Sequence, residues 1–412
     1  MFLESSIFKR FVNFIETMNL QRTSLYNELA AQIGNTPLYT ISNIRFPHGN
    51  RVFVKEENKN PGGSHYDRVF SQLFRFYEEA DLIEPGRTPV VETTSGSAGV
   101  SFARLARLLG YESLVICPAD LPSARVSPIR AECAEIMFSP AGLYVDGSAE
   151  MLRQVLRENR ERKLRGEEPY FAFNHTQNFR YRDTKCPSAE ISAHAAEAVI
   201  DEAVQQAETL GVKFDMAIAA GGNGTTLLGF GRAARRNGFP LIVWETLGSG
   251  RYFDRKNRPG AFTHKYGIRP SLAAKVGHEI YGTVYGDTPY SLPNVDAAFR
   301  EGVVDYVRIL TDAKTRGAAL RQLDDNWFME ETLQSFRLGQ FNSEGPSLKH
   351  DQRKNIERTA SFEPVVDLLA REEGKPVGRS SAGNIAMVLD EQWRIGSMHN
   401  VLTFFYDDAS RY

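Results

Sequence analysis

The chain has 412 residues, 42% hydrophobic and 24% charged, with a formal net charge of −2 at pH 7. That length is about two to three times the usual domain size and allows a substantial core, while the near-neutral balance gives no electrostatic reason to expect nucleic acid or an anionic membrane as partner. Three cysteines, Cys117, Cys133 and Cys186, are too few and too scattered for a disulfide framework or a zinc site. The expectation is a cytoplasmic protein with small-molecule chemistry and no metal.

Within Met1–Leu20, the residues Phe8, Phe11, Val12, Phe14, Ile15 and Met18 recur at helical spacing among Glu4, Lys9, Arg10 and Glu16. This pattern suits an amphipathic helix docked on the body or on a second subunit of a homodimer, and neither a signal peptide nor a membrane span. Val52 to Lys55 is expected as a strand, broken by Pro61-Gly62-Gly63. Ser64 to Glu79 follows as a helix, with Ser64 and Asp67 spaced as a capping box. The strand Pro89 to Thr94 runs into Ser95-Gly96-Ser97-Ala98-Gly99 and a helix carrying Phe102, Leu105 and Leu109. Then come a strand at Leu114 to Cys117, a helix around Arg125 to Cys133, and a strand at Ile136 to Phe138.

Met151 to Glu168, dense in Arg and Glu, is expected as a helix with a solvated face. Phe214 to Ala220 is a strand ending in Gly221-Gly222-Asn223-Gly224-Thr225-Thr226, which opens a helix over Leu227 to Arg235, and Leu241 to Trp244 is the next strand. Pro293 to Val307 is expected as a connection and a strand, Asp312 to Leu323 as a helix, Asp324 to Phe362 as a polar insertion and Glu363 to Glu373 as a helix. Gly378 to Gly383 begins a last core helix. Strands alternating with helices predict an α/β fold whose parallel sheets are covered on both faces.

Each Gly- or Ser-rich loop lies where a strand hands over to a helix, and such a turn presents unpaired amides and the positive end of the helix dipole to an anion. A single loop of this kind is as well explained by a tight turn. Three in this order, with Ile33-Gly34-Asn35-Thr36-Pro37-Leu38 and Asn60-Pro61-Gly62-Gly63-Ser64-His65-Tyr66-Asp67-Arg68 upstream, make the chain similar to the fold type II pyridoxal phosphate (PLP) enzymes of the cysteine synthase and cystathionine β-synthase group. The resemblance covers most of residues 33 to 323 and 363 to 390. It implies the two-domain architecture of the tryptophan synthase β type, with a smaller domain at 50–165 set into a larger one formed by 1–49 and 166–412. PLP is the implied cofactor. Gly222, Asn223, Gly224, Thr225 and Thr226 correspond to the loop that cradles its phosphate, and Ser381 to the serine at its pyridine nitrogen. Thr94, Ser95, Gly96 and Ser97 correspond to the loop that holds the substrate carboxylate.

Departures from the family pattern are as informative. The family's Schiff-base lysine is Tyr66 here, and a phenol cannot form an imine. The asparagine that also touches the cofactor is Ser97, and a substrate-facing glutamine is Phe171. Lys55, Lys59 and Lys185 are the candidate replacement amines, each more simply read as structural or solvated, and His65 is open between a structural role and an acid/base beside Tyr66. Two functions remain. One is a divergent protein that binds PLP or a PLP–amino acid adduct non-covalently and performs lyase or transferase chemistry on an amino-acid-type substrate, with Tyr66 as acid/base. The other is a non-catalytic relative that binds a ligand or regulates a partner.

Overall fold

A computed structural model of the chain describes residues 21–309 and 363–411, apart from 45, 95, 120, 141–143, 182, 246–250, 259–260 and 262–291. The amphipathic stretch at 1–20, the helix expected at 312–323 and the polar insertion lie outside the described residues.

A six-stranded sheet has the order β1 (Leu38–Thr40), β2 (Arg51–Glu56), β12 (Asn400–Phe405), β9 (Met216–Ala220), β10 (Leu241–Glu245), β11 (Tyr306–Ile309). Its neighbours are parallel except β1, which pairs antiparallel with β2. Parallel strands covered on both faces read as unbroken apolar runs. Val52-Phe53-Val54 and Leu241-Ile242-Val243-Trp244 are such runs, each residue no more than 3% exposed. One face is covered by α6 (Ser188–Thr209) and α7 (Thr225–Arg236), the other by α10 (Glu363–Glu373) and α11 (Arg379–Ile395). The helices α6 and α7 approach closely because Gly229 has no side chain, and a Cβ there would stand 2.0 Å from the Ala193 carbonyl oxygen.

The second sheet is parallel throughout, in the order β5 (Glu135–Ser139), β4 (Ser113–Pro118), β3 (Val90–Thr93), β6 (Phe171–Ala172). Helices α2 (Tyr66–Glu79) and α3 (Ser97–Leu109) bury their apolar stripes on one face, and α5 (Tyr144–Leu164) lies on the other with its Arg and Glu side chains outward. The α/β class and the parallel, doubly covered sheets are as the alternation predicts.

The boundaries differ. Strand β2 belongs to the larger sheet rather than to a smaller unit at 50–165, because it pairs with β12 from the far end of the chain, Val52 opposite Val401. The smaller sheet also extends beyond 165, since Phe171 pairs with Val90. Residues 293–307 form α9 (Leu292–Arg300) before β11, not a connection, because Val295 and Ala298 lie one helical turn apart and are buried against α7. The capping box is shifted as well. The Ser64 hydroxyl accepts from the Tyr66 amide at 3.3 Å, while the Asp67 carboxylate reaches back to the Gly62 amide.

Candidate functional site

The stretch Asn60–Arg68 is fastened by its own polar residues. Asn60 accepts from the Gly34 amide at 2.8 Å and donates to Glu57, to which Thr36 donates at 2.6 Å. Arg68 holds Glu57 in two bonds, at 2.8 and 2.9 Å, and Glu202 of α6 in two more, at 2.5 and 2.7 Å. Burial alone would raise the Glu57 carboxyl, but the Arg68 guanidinium overrides it and holds the group below its ordinary value. Glycine, threonine, asparagine and arginine of the two upstream motifs thus act on one another and aim the turn that follows.

That turn faces the loop between β9 and α7. Gly224 caps α7 with φ +95°, and a Cβ there would lie 2.6 Å from the Val295 amide, so only glycine fits. Asn223 accepts from the Thr225 amide at 2.9 Å, and Asn294 ties Thr225 to the Thr176 carbonyl. The amides of Gly222, Asn223, Gly224 and Thr226 have no acceptor among the described residues. With the α7 dipole behind them, they form an anion-accepting nest.

The loop after β3 lies close by. The Thr94 hydroxyl accepts from the Gly96 and Gly99 amides, both at 3.0 Å, so its role is to shape the loop; Ser95 lies outside the described residues. Ser97 donates to Asp407 at 2.9 Å, and the fully buried Ser381 accepts from the Tyr406 amide at 2.8 Å. Tyr406 and Asp407, at the carboxyl end of β12, escaped the sequence reading. Their signal was the apolar run Val401–Phe405, because ligand sites of parallel sheets gather at the carboxyl ends of strands.

Tyr66 stands at the start of α2 between two histidines. Its ring centroid is 4.2 Å from that of His65 and 5.5 Å from that of His175, the latter edge-on at 84°. His65 turns its Nε2 to the Thr226 hydroxyl at 3.3 Å, and burial pushes its imidazole down to about 4, so it is neutral at pH 7. The two rings His65 and Tyr66 lie side by side despite being sequence neighbours, because the first helical turn begins between them. Glu92 of β3 accepts from both the amide and Nδ1 of His175 at 3.1 Å.

The candidate lysines stand elsewhere. Lys55 is buried and bonded to the Thr36 carbonyl and Gln206, with burial lowering its ammonium pKa, while Lys59 and Lys185 are exposed. Phe171 is a correction. It is fully buried, its ring 4.8 Å from Tyr77 and 4.9 Å from Tyr181, because strand alternation sends Phe171 and Phe173 to the face of the smaller sheet that α2 and α3 cover. The segment's contribution beside Tyr66 is His175, on the turn beyond β6.

A family profile described as "Pyridoxal-phosphate dependent enzyme" matches residues 29–293. Among curated proteins, the chain is 34% identical over 120 residues to cysteine synthase 3 of Caenorhabditis elegans, covering 29% of this chain and 36% of that protein. It is 28% identical over 218 residues to cystathionine beta-synthase of Rattus norvegicus, covering 52% and 36%. To the probable cysteine synthase of Bacillus subtilis (strain 168) it is 26% identical over 212 residues, covering 51% and 61%. The matches thus span less than two thirds of these relatives' own length. Among solved structures, O-ureido-L-serine synthase superposes with a TM-score of 0.60 at 20% identity, covering 93% of this chain and 92% of that one. The O-acetylserine dependent cystathionine beta-synthase from Helicobacter pylori gives 0.62 at 19%, covering 93% and 96%. At such identities the superpositions establish the fold.

Proposed function

The chain belongs to the family of pyridoxal-phosphate dependent enzymes, and from that premise we propose that it binds PLP without a covalent bond and acts on an amino-acid-type substrate, in the manner of the lyases and transferases it resembles. The observation that carries this reading is the loop Gly222–Thr226, where the amides of Gly222, Asn223, Gly224 and Thr226 lack acceptors among the described residues and the central glycine tolerates no side chain. Ser381 supports it, since its hydroxyl accepts from the Tyr406 amide and keeps its own proton to donate. The residues suit the phosphate and the ring nitrogen. They do not suit a Schiff base, because Tyr66 stands where the resemblance has its lysine.

PLP, when bound, supplies an electron-withdrawing ring that stabilises negative charge beside an amino acid's α-carbon. The chain's residues supply the rest. The amides of Gly222, Asn223, Gly224 and Thr226 would take the phosphate, the Gly96–Gly99 turn with Ser97 would face the substrate carboxylate, and the Tyr66 hydroxyl would give or take a proton. No helix among the described residues is long and apolar enough to cross a membrane.

Titration with PLP, followed by borohydride reduction and peptide mapping, tests the reading. The wild-type protein should bind PLP reversibly, in competition with inorganic phosphate, and carry no pyridoxyl label on any lysine. The Tyr66→Lys variant should acquire a label at position 66. A label on Lys55, Lys59 or Lys185 of the wild type would overturn the non-covalent reading. Failure to bind PLP would favour the alternative, a non-catalytic protein that binds another ligand or regulates a partner. The variant should also remain a weak cysteine synthase with O-acetylserine and sulfide, because Ser97 is shorter than the asparagine it replaces. One lost polar contact to a charged group costs about 1.5–3 kcal/mol, roughly ten- to a hundred-fold in rate.

A further inference from the structure

We propose that His175, oriented by Glu92, takes and returns the proton of the amino-acid ligand at this site, a role that rests on the reading of the site as one for PLP and an amino acid. The pair is built rather than incidental. Glu92 is 1% exposed, and one of its oxygens, Oε2, accepts from both the backbone amide and the ring Nδ1 of His175, which fixes the rotation of the imidazole. Ser192 of α6 donates to the His175 carbonyl at 2.8 Å, and the rings of Tyr66 and Phe70, at 5.5 and 5.3 Å, hold the imidazole plane from the side of α2.

With Nδ1–H directed at a carboxylate, the neutral ring presents Nε2 as an acceptor. Nε2 has no partner among the described residues and is not one of the buried side-chain atoms sealed from solvent. His65, the other imidazole beside Tyr66, is the opposite case. It is buried without a carboxylate bond, and its Nδ1 is sealed with no partner among the described residues. An imidazolium formed at His175 has a counter-charge at 3.1 Å; one formed at His65 has none bonded to it.

The chain's need for such a group follows from Tyr66. An amino acid arrives as an ammonium ion, and with no lysine in place to exchange with, its amine must be freed by a base. The ligand N–H bond breaks, its electron pair stays on nitrogen, and Nε2 gains the proton. The pair then passes from carboxylate–imidazole to carboxylate–imidazolium, and the proton is returned when product or water accepts it. The arrangement is the orienting logic of an acid–histidine pair, in which the carboxylate selects the tautomer and stays ionised.

Nitrogen-15 NMR of the histidine rings in the full chain, with PLP and L-serine as probes, tests the assignment. Without ligand, the proton should reside on Nδ1 of His175. In Glu92→Gln, where a side-chain amide can donate to Nδ1, it should move to Nε2. Both Glu92→Gln and His175→Gln should bind PLP as the wild type does, yet slow the spectral change that serine causes in bound PLP by about 10²–10⁴-fold. Glu92→Asp should recover part of the rate.

A wild-type tautomer protonated on Nε2, or a rate unchanged in both glutamine variants, would overturn the proposal. Absence of PLP binding by the wild type would overturn the site reading beneath it, and is told apart because the tautomer is measured with no ligand present.

Discussion

At the scale of single residues, His65 is the clearest case of environment setting chemistry. The unfolded chain has an ordinary imidazole, about 6.5, while in the fold burial holds it to about 4. The unfolded state therefore binds a proton first as pH falls, so the stabilisation is complete above the unfolded value and is lost between about 6.5 and 4. At pH 5 the loss is about 2 kcal/mol relative to pH 7. Urea midpoints at pH 7 and 5 should show it, and His65→Gln should flatten the difference by that amount. Glu202 leaves the window clear. Burial would raise its carboxyl, but Arg68 and Lys55 hold it down to about 2, so its contribution fails only below pH 4.5. An unchanged pH dependence in His65→Gln would mean the buried imidazole is not the source. Phe171 shows the converse at this scale. Its place in the aligned motif suggested a cleft wall, and the two-residue period of β6 put it in the core.

At the scale of elements, α2 is held by a charge cluster that joins it to the 3-10 turn before it and to α6. Arg68 is 6% exposed and makes paired bonds to the fully buried Glu57. Removing the guanidinium would leave that carboxylate buried without its main partner, and breaking a buried pair in this way costs about 3–5 kcal/mol. Arg68→Met should lower unfolding stability by that order in a urea melt. Arg68→Lys should recover only part, since an ammonium cannot make two planar bidentate pairs. A variant within 1 kcal/mol of wild type, about the size of an ordinary surface effect, would mean Lys55 neutralises Glu57 unaided.

At the scale of the whole molecule, the last strand closes the larger sheet. Strand β12 lies between β2 and β9, pairing residue for residue with β2 from Asn400–Arg51 to Phe405–Glu56 and meeting Met216 and Ala217 on its other side. Without it, two apolar strands would lose their shared neighbour and expose unpaired amides. A chain ending at residue 396 should therefore show no cooperative thermal transition by circular dichroism. A truncated protein that melts cooperatively would show that β2 and β9 can pair without it. The same strand delivers Tyr406 and Asp407 to Ser381 and Ser97, so the fold's completion and the site's completion are one event.

By itself the sequence determined the α/β class, the handover of each strand to a helix and the glycine turns, because these depend on local periodicity and on backbone conformations only glycine adopts, and its motifs carried the resemblance to the family. It also singled out Gly222–Thr226 and Tyr66 as candidates. Only the tertiary structure decided which residues surround Tyr66. His175 comes from more than a hundred residues away in the chain and its orienting carboxylate from another strand, while Asp407, from the far end, is brought to Ser97. Such pairings are set by strand order and by which face a strand's alternation presents, and no local pattern encodes either. That β2 joins the larger sheet has the same cause, since a strand's sheet is chosen by its hydrogen-bonding neighbour, which for β2 lies about 350 residues away.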